Sequence, residues 1–388
     1  MNIAFCHNAF IMGGAERITL DIVQYLSTFG EKYNIFLFAP EFAKDNFPQD
    51  VVCKLTWCKT RNKSKEKSED VERLVKEHNI DILVEVVSHL KKVNQIKKRT
   101  GVKVIHANHG IPFWQYYQII DVLQNTPTKR ILWNLYRKFW WETLGNARRK
   151  AIRQTRRSYT ESDAYVVLCD AYKAETCQVL DISQEQSHIY AINNSEKQVE
   201  NPNLHKENTI LYCGRFSYND KRVDRLIRIW GQIEKQLPEW RLQLVGDGPE
   251  RSNLQILTEQ LGLQRVSFEG ATKNPQEYYN KASIVCLTSQ MEGWPLALTE
   301  SLAHGCICVA FECSAGIKEI LSPNGQNGFL VTPYDEEEFA NTLLHICNLP
   351  EEQKTKLRLN SIKKCKDYSP SIILEQWRQL FETVVQQP

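Results

Sequence analysis

At 388 residues the chain is too long for one ordinary core and is expected to form about two domains of roughly 150 to 200 residues each. Its composition, 42% hydrophobic and 24% charged, is that of an ordinary folded protein and excludes a disordered chain or a coiled coil. A formal net charge of +3 excludes a global affinity for nucleic acid, so electrostatic partners must be sought in local clusters.

Residues 2–7 follow Met1 at once and read as a buried strand, not as the basic, apolar and cleavage regions of a secretory signal. No apolar run approaches the roughly 20 residues of a spanning helix, so the chain is expected in the cytoplasm. The glycines of Ile11-Met12-Gly13-Gly14-Ala15-Glu16-Arg17 then open a helix running to about Phe29, with Gly30 as its stop. Strand, glycines and helix also describe a dinucleotide-binding start, but the G-x-G-x-x-G spacing is absent.

Further strands are expected at 34–38, 51–57, 80–87, 102–107 and 164–168, with helical patterns between several of them. Such alternation argues for a parallel sheet covered on both faces. Residues 61–70 are poor in apolar side chains and read as a solvated loop leading into a helix. Ligands of such sheets gather beyond the carboxyl ends of the strands, where Gly14 should converge with His106, Asn108, His109 and Gly110.

Residues 113–159 depart from this pattern. Between Lys129 and Arg157 the one acidic residue is Glu142, among many lysines and arginines. Leu132, Tyr136, Phe139, Trp140 and Leu144 fall at helical spacing beside Arg137 and Lys138. This reads as an amphipathic helix on an anionic membrane surface, with Trp133, Trp140 and Trp141 at the headgroup boundary and Arg137 and Lys138 on the lipid. The alternative is that the aromatics pack into the core. No nucleic-acid motif accompanies the basic run.

A helix is expected at 170–180, a strand at 188–192 and a polar linker at 194–208. The second half opens with a strand running into Gly214-Arg215-Phe216 and, a few residues on, Lys221. A strand at 242–245 meets the tight turn Gly246-Asp247-Gly248-Pro249-Glu250, and a strand at 266–270 and a short helix at 274–281 follow. Residues 283–331 give a strand, a loop holding Glu292, a helix from about Pro295 to Ala303 carrying Glu300, a strand at 306–311 and a helix start near Gly316. Pro295 suits the first helical position, and the free N–H groups of that turn make an anion site. Helices at 335–347, 351–366 and 370–385 finish the chain. Most of the twelve cysteines lie in strand-like runs (Cys6, Cys169, Cys213, Cys286, Cys308) and read as small apolar residues; Cys306, Cys308 and Cys313 lack the paired histidines of a metal site.

The spacing Glu292-x7-Glu300, followed by Gly305 and Asn327-Gly328, resembles the retaining glycosyltransferases of family 4. These have the α/β GT-B fold, two Rossmann-like domains facing each other across a cleft. The wording of 289–293, 295–300 and 311–320 is similar to the subgroup that builds bacterial surface polysaccharides from UDP-sugars. Ser301 and Ile307 stand where that family usually has Ala and Pro.

The resemblance implies an acceptor-side domain at 1–193, a donor-side domain at 209–366, and a last segment, 367–388, crossing back to the first domain with Trp377 and Phe381. It implies that Arg215 and Lys221 hold the nucleotide diphosphate, that Gly246 lies near the base, and that Glu300 takes the ribose hydroxyls. Glu292, with the backbone of Gly293, Trp294, Pro295 and Leu296, would hold the donor sugar. Gly13, Gly14 and His109 would close the cleft from the other side, with Glu292 and His109 nearest the reacting carbon. No Asp-x-Asp metal motif occurs, so no metal or other cofactor is expected beside the donor.

The implied activity is transfer, with retention, of a hexosyl or N-acetylhexosaminyl group to a hydroxyl of a lipid-linked glycan for capsule, O-antigen or lipopolysaccharide. The enzyme would sit peripherally on the inner face of the cell membrane. The rival readings are a non-catalytic nucleotide-sugar-binding subunit and a hydrolysing UDP-sugar epimerase of the same fold.

Overall fold

The computed structural model describes residues 1–387 apart from 12, 87–89, 115, 117–138 and 141–144. The chain divides into two units, Met1–Ser195 with Pro370–Pro388, and Glu196–Ser369.

In the first unit, strands β1 (Asn2–Cys6), β2 (Asn34–Ala39), β3 (Leu55–Lys59), β4 (Ile82–Val86), β5 (Lys103–Ala107), β6 (Ala164–Val167) and β7 (Ile189–Ala191) alternate with helices. These are α1 (Gly14–Ser27), α2 (Gln49–Val52), α3 (Ser64–Glu77), α4 (Val93–Thr100), α5 (Asn146–Glu161) and α6 (Asp170–Leu180). The strands form one parallel sheet in the order β3-β2-β1-β4-β5-β6-β7, with Ile3 paired to Ile35 on one side and Ile82 on the other. The order reverses between β1 and β4, which leaves a crevice at their carboxyl ends. One face buries Ala4, Cys6, Leu83 and Val104 against Val71, Leu74 and Val75 of α3 and Val93 and Ile96 of α4. Each fully buried Leu or Val side chain of this set contributes about 1.5 to 3 kcal/mol. The C-terminal helix, Pro370–Gln386, belongs to this unit: Phe381 meets Phe5 edge-on at 6.4 Å, and Tyr25 of α1 donates a 2.9 Å hydrogen bond to Glu375.

Three expectations for this unit change. The strand expected at 51–57 is split, because Val51 and Val52 bury themselves on the short helix α2 and pairing with β2 begins only at Leu55. The solvated loop expected at 61–70 is helical from Ser64, and Lys67 and Ser68 are buried. Lys67 turns inward because its ammonium finds acceptors there, the His7 carbonyl at 2.8 Å and Asn8 at 3.2 Å. Of the expected membrane helix, Trp133, Arg137, Lys138 and Trp141 lie outside the described residues, while Phe139 and Trp140 are exposed.

The second unit carries β8 (Glu207–Cys213), β9 (Arg241–Val245), β10 (Val266–Gly270), β11 (Ala282–Leu287), β12 (Ile307–Phe311) and β13 (Phe329–Val331). Its helices are α7 (Val223–Ile233), α8 (Arg251–Gln260), α9 (Gln276–Lys281), α10 (Leu296–Ala303), α11 (Ala315–Leu321), α12 (Glu336–Cys347) and α13 (Glu351–Cys365). The parallel order β10-β9-β8-β11-β12-β13 reverses between β8 and β11. Tyr212, Phe216, Leu226, Trp230, Phe311 and Phe339 lead its core. Trp230, fully buried, satisfies its indole N–H on Glu234 at 3.2 Å. The polar stretch expected as a linker is buried where it begins, at Asn194, Ser195 and Glu196; the Glu196 N–H donates to the Tyr368 carbonyl at 2.7 Å, and its carboxylate accepts from Thr299 at 3.0 Å.

Candidate functional site

The second unit gathers charge at the carboxyl ends of β8 and β11. After β8 the chain passes through Gly214 and Arg215 to Lys221; after β11 it passes through Ser289 to Glu292 and into α10. Two bonds dock these loops, from the Gln290 N–H to the Asp220 carbonyl at 2.7 Å and from the Thr288 hydroxyl to the Arg222 carbonyl at 3.0 Å. Docking brings the Lys221 ammonium to the buried Glu292 carboxylate at 2.7 Å, and the Ser289 hydroxyl donates to the same oxygen at 2.7 Å. Burial alone would pull Lys221 down, but the Glu292 carboxylate more than offsets that and holds the ammonium above its ordinary pKa.

Arg215 reaches outward, its side chain 65% exposed, and pairs with Asp220 at 2.7 Å. Burial works to raise the Asp220 carboxyl, yet Ser217, Lys221 and Arg215 together hold it below the usual range. Glu300 sits half-buried on α10, where the buried Tyr279 hydroxyl donates to it at 2.9 Å. Burial, followed by Glu300, pushes the Tyr279 hydroxyl well above its ordinary pKa, so it stays a donor. Cys313 lies near the pair as well, its thiol raised to about 12 by burial and then by Glu292.

Gly246 follows β9 with φ +140°, and a side chain there would place its Cβ 1.8 Å from the Gly214 carbonyl oxygen. Only glycine allows the two loops to approach this closely. Pro295 is the N-cap of α10 and not its first helical residue, with ψ 105°, so the helix begins at Leu296. Trp294 turns its ring into the unit, edge-on to Tyr368 at 5.1 Å, and its indole N–H is buried without a partner among the described residues.

The first unit gathers histidines at the carboxyl ends of β1 and β5. His7 is buried and shares a 3.0 Å hydrogen bond with Thr19; burial, then His109 and Lys67, lowers its pKa to about 3. His109 has a buried Nδ1 without a hydrogen-bond partner among the described residues. Burial lowers it to about 4, against an opposing pull from Asn194. His106 is spoken for: its Nδ1 lies 2.9 Å from the buried Glu85 carboxylate and its ring stacks on Tyr165 at 5.1 Å. Gly13 caps α1 with extended backbone, and the Glu16 carboxylate folds back over it, 2.5 Å from where a Cβ would stand. Gly14 is the first residue of that helix. A cavity of about 360 Å³ on the same unit, lined by Glu85, Lys91, Gln154 and Arg157, contains none of the residues the sequence singled out.

Tyr279 and Asp220 in the second unit, and His7, Lys67 and Glu85 in the first, complete these clusters and were not signalled by motif. Glu85 alone left a trace, as a charge inside the apolar run of β4.

Residues 12–194 match the model of Glycosyltransferase Family 4, and residues 193–364 match that of Glycosyl transferases group 1. An uncharacterized glycosyltransferase of Haemophilus influenzae is 34% identical over 266 residues, 66% of this chain and 70% of the relative. The Campylobacter jejuni GalNAc-alpha-(1->4)-GalNAc-alpha-(1->3)-diNAcBac-PP-undecaprenol alpha-1,4-N-acetyl-D-galactosaminyltransferase is 32% identical over 180 residues, 46% of this chain and 49% of that enzyme. The chain thus spans about half the length of that second relative. Among solved structures, the lipopolysaccharide outer core galactosyltransferase WaaB in its apo form superposes with a TM-score of 0.69 at 18% identity, over 99% of both chains. Anabaena HepE in complex with UDP gives 0.73 at 16% identity, over 99% of this chain and 100% of that one.

Proposed function

The chain belongs to the glycosyltransferases, with two Rossmann-like units of the GT-B class, and from that premise we propose that it moves a sugar from a UDP-sugar to a hydroxyl of a lipid-linked glycan, with retention. The observation that carries this reading is the Lys221–Glu292 pair at the point where the second sheet reverses. A departing UDP gathers negative charge as the sugar–phosphate bond breaks, and a cation already fixed in place stabilises it without reorganisation.

In this reading Glu292 holds Lys221 until the donor arrives. The diphosphate then takes Lys221 and Arg215, and the Glu292 oxygens, with the backbone of Gly293 to Leu296, accept the donor sugar. Glu300, oriented by Tyr279, takes the ribose hydroxyls, and Gly246 holds the loop that approaches the base. His109, kept neutral, suits a sugar hydroxyl better than a phosphate, and with Gly13 and Gly14 it serves the acceptor side. Arg215 and Lys221 meet the diphosphate charge, so no metal or other cofactor enters.

The acceptor class is supported by the Campylobacter enzyme, whose name specifies an undecaprenol-linked substrate, and by the lipopolysaccharide 1,6-galactosyltransferase of Salmonella typhimurium, 29% identical over 147 residues. Among the described residues no helix is long and apolar enough to cross a membrane. We place the enzyme on the inner face of the cell membrane through α5, which exposes Arg148, Arg149, Lys150, Arg153, Arg156 and Arg157, next to the exposed Phe139 and Trp140.

The test is to incubate the purified protein with a panel of UDP-sugars in EDTA, with and without a lipid-linked glycan, and to follow UDP. Acceptor-dependent release is expected. No release at all would make it a binding subunit, a changed sugar without acceptor would make it an epimerase, and activity restored only by magnesium or manganese would remove the metal-free mechanism.

A further inference from the structure

Arg215 and Asp220 are held in place by their backbones and not by each other. The buried Tyr212 hydroxyl donates to the Arg215 carbonyl at 2.9 Å, and on either side the Gly214 N–H donates to the Val245 carbonyl at 2.9 Å and the Phe216 N–H to the Asp247 carbonyl at 2.8 Å. The Asp220 carbonyl takes the Gln290 N–H at 2.7 Å, and the next two N–H groups, of Lys221 and Arg222, donate to the Ser217 carbonyl at 3.2 and 3.0 Å. None of these bonds uses a charged side chain. The side-chain pair is a single 2.7 Å bond from Arg215 to one carboxylate oxygen, with the arginine 65% exposed. Exposed pairs of this kind add little to stability, so the loop does not need this one to fold.

The other Asp220 oxygen, Oδ1, is buried without a hydrogen-bond partner among the described residues. A carboxylate kept for stability would have both oxygens satisfied. This one stands instead where it acts on both cations. Burial pulls the Lys221 ammonium down, Glu292 and then Asp220 more than restore it, and Arg215 pulls against them, so the four groups lie within electrostatic reach of one another. Arg215, Lys221, Asp220 and Glu292 sum to zero charge, and Arg222, the next residue, is taken by Asp224 at 2.9 Å. Lys221–Glu292 is the buried half of this set, and Arg215–Asp220 is the half that an arriving anion can open without moving either backbone.

The balance matters because donor and product differ in charge. The diphosphate of a UDP-sugar is esterified at both ends, whereas the terminal phosphate of free UDP ionises once more, with a pKa of about 6. UDP therefore leaves as the more anionic of the two, and cations alone would hold it more tightly than the donor it came from. A carboxylate beside the phosphates opposes that extra charge and competes for the exposed guanidinium. We infer that Asp220 is a positioning residue for product release, which takes Arg215 back from the diphosphate of UDP once the sugar has gone. This inference rests on the transferase reading above.

The experiment titrates UDP into wild type, Asp220→Asn, Asp220→Ser, Asp220→Glu, Arg215→Gln and the Asp220→Asn, Arg215→Gln double variant, and follows UDP dissociation by stopped flow. A carboxylate that only shaped the loop would weaken UDP binding when removed, whereas a release role predicts the opposite sign. Asp220→Asn and Asp220→Ser should bind UDP about tenfold more tightly, through slower dissociation, and Asp220→Glu, which keeps the charge, should stay within about twofold of wild type. In the Arg215→Gln background the Asp220→Asn change should tighten UDP by less than about threefold, because the exchange runs through the guanidinium. The release role is overturned if neither neutral variant binds UDP more tightly than wild type, whether folded or not, since a carboxylate needed for folding is structural. It is also overturned if Asp220→Glu tightens as they do, or if the full gain persists without Arg215. Failure of wild type to bind UDP overturns the transferase reading instead, which keeps the two apart.

Discussion

The carboxyl ends of the two sheets share a topology and differ in charge. In the first unit the reversal of strand order lies beside imidazoles held neutral, His7 lowered to about 3 and His109 to about 4, and a histidine tied to Glu85. In the second it lies beside ion pairs, Lys221 with Glu292 and Arg215 with Asp220. Burial is common to both and has opposite results. It strips the charge from an isolated imidazole, whereas a partner carboxylate keeps a buried ammonium protonated. The fold supplies a crevice twice, and the loops decide what each can bind.

Breaking the ion pair should have the largest effect. Lys221→Ala leaves Glu292 buried without its cation, at a cost of about 3 kcal/mol, and should lower the transfer rate at least a hundredfold. A Lys221→Met, Glu292→Leu double variant should recover most of the stability in urea unfolding and none of the activity. If Lys221→Ala unfolded at the wild-type urea concentration, the pair would not be what holds these loops.

The next effect distinguishes the units by pH. Above about pH 6.5 the histidines are neutral in both folded and unfolded chains and cost nothing. As the pH falls toward 4, the unfolded chain takes up protons that the folded chain refuses, so stability is lost at about 1.4 kcal/mol per pH unit for each histidine. Among the described residues the first unit has two such groups, and the second has one, His304, which burial lowers to about 4. Hydrogen exchange at pH 7 and pH 5 should therefore show β1 and β5 losing more protection than β8 and β11, and His109→Asn should narrow the gap. Equal losses would mean that these imidazoles are not held neutral.

The smallest effect is on the outer face of the first unit. Trp140→Ser should reduce sedimentation with anionic vesicles about threefold while leaving UDP binding unchanged, since it removes one apolar contact and leaves the basic side chains of α5 in place. Unchanged sedimentation would remove Trp140 from the membrane contact.

Much of the frame was legible because parallel strands buried on both faces read as apolar runs, as at 282–287 and 307–311. Glu292 and Glu300 were legible because a fixed spacing spans a loop and a helix that are contiguous in sequence. The partner of Glu292 was not, since Lys221 is 71 residues away and meets it only because β8 and β11 are neighbours in the sheet. Val51 and Val52 misled for another reason: β-branched side chains favour strands weakly, and a place to bury them on α2 overrode that preference. Lys67 misled because a run rich in charge reads as solvated until one of its ammonium groups finds backbone oxygen inside.

The crossing of the chain from the first unit to the second and back has a consequence for synthesis. The first unit takes its last helix, with Trp377 and Phe381 fully packed in it, from the stretch that follows the second unit in sequence. A ribosome delivers roughly 170 intervening residues before that helix, which at about 5 to 20 residues per second takes on the order of ten to thirty seconds. During that interval the second unit has everything it needs to fold, while Phe5 still lacks the ring that covers it. The unit translated first is thus completed last, and its apolar α1 face is what a nascent-chain chaperone would meet.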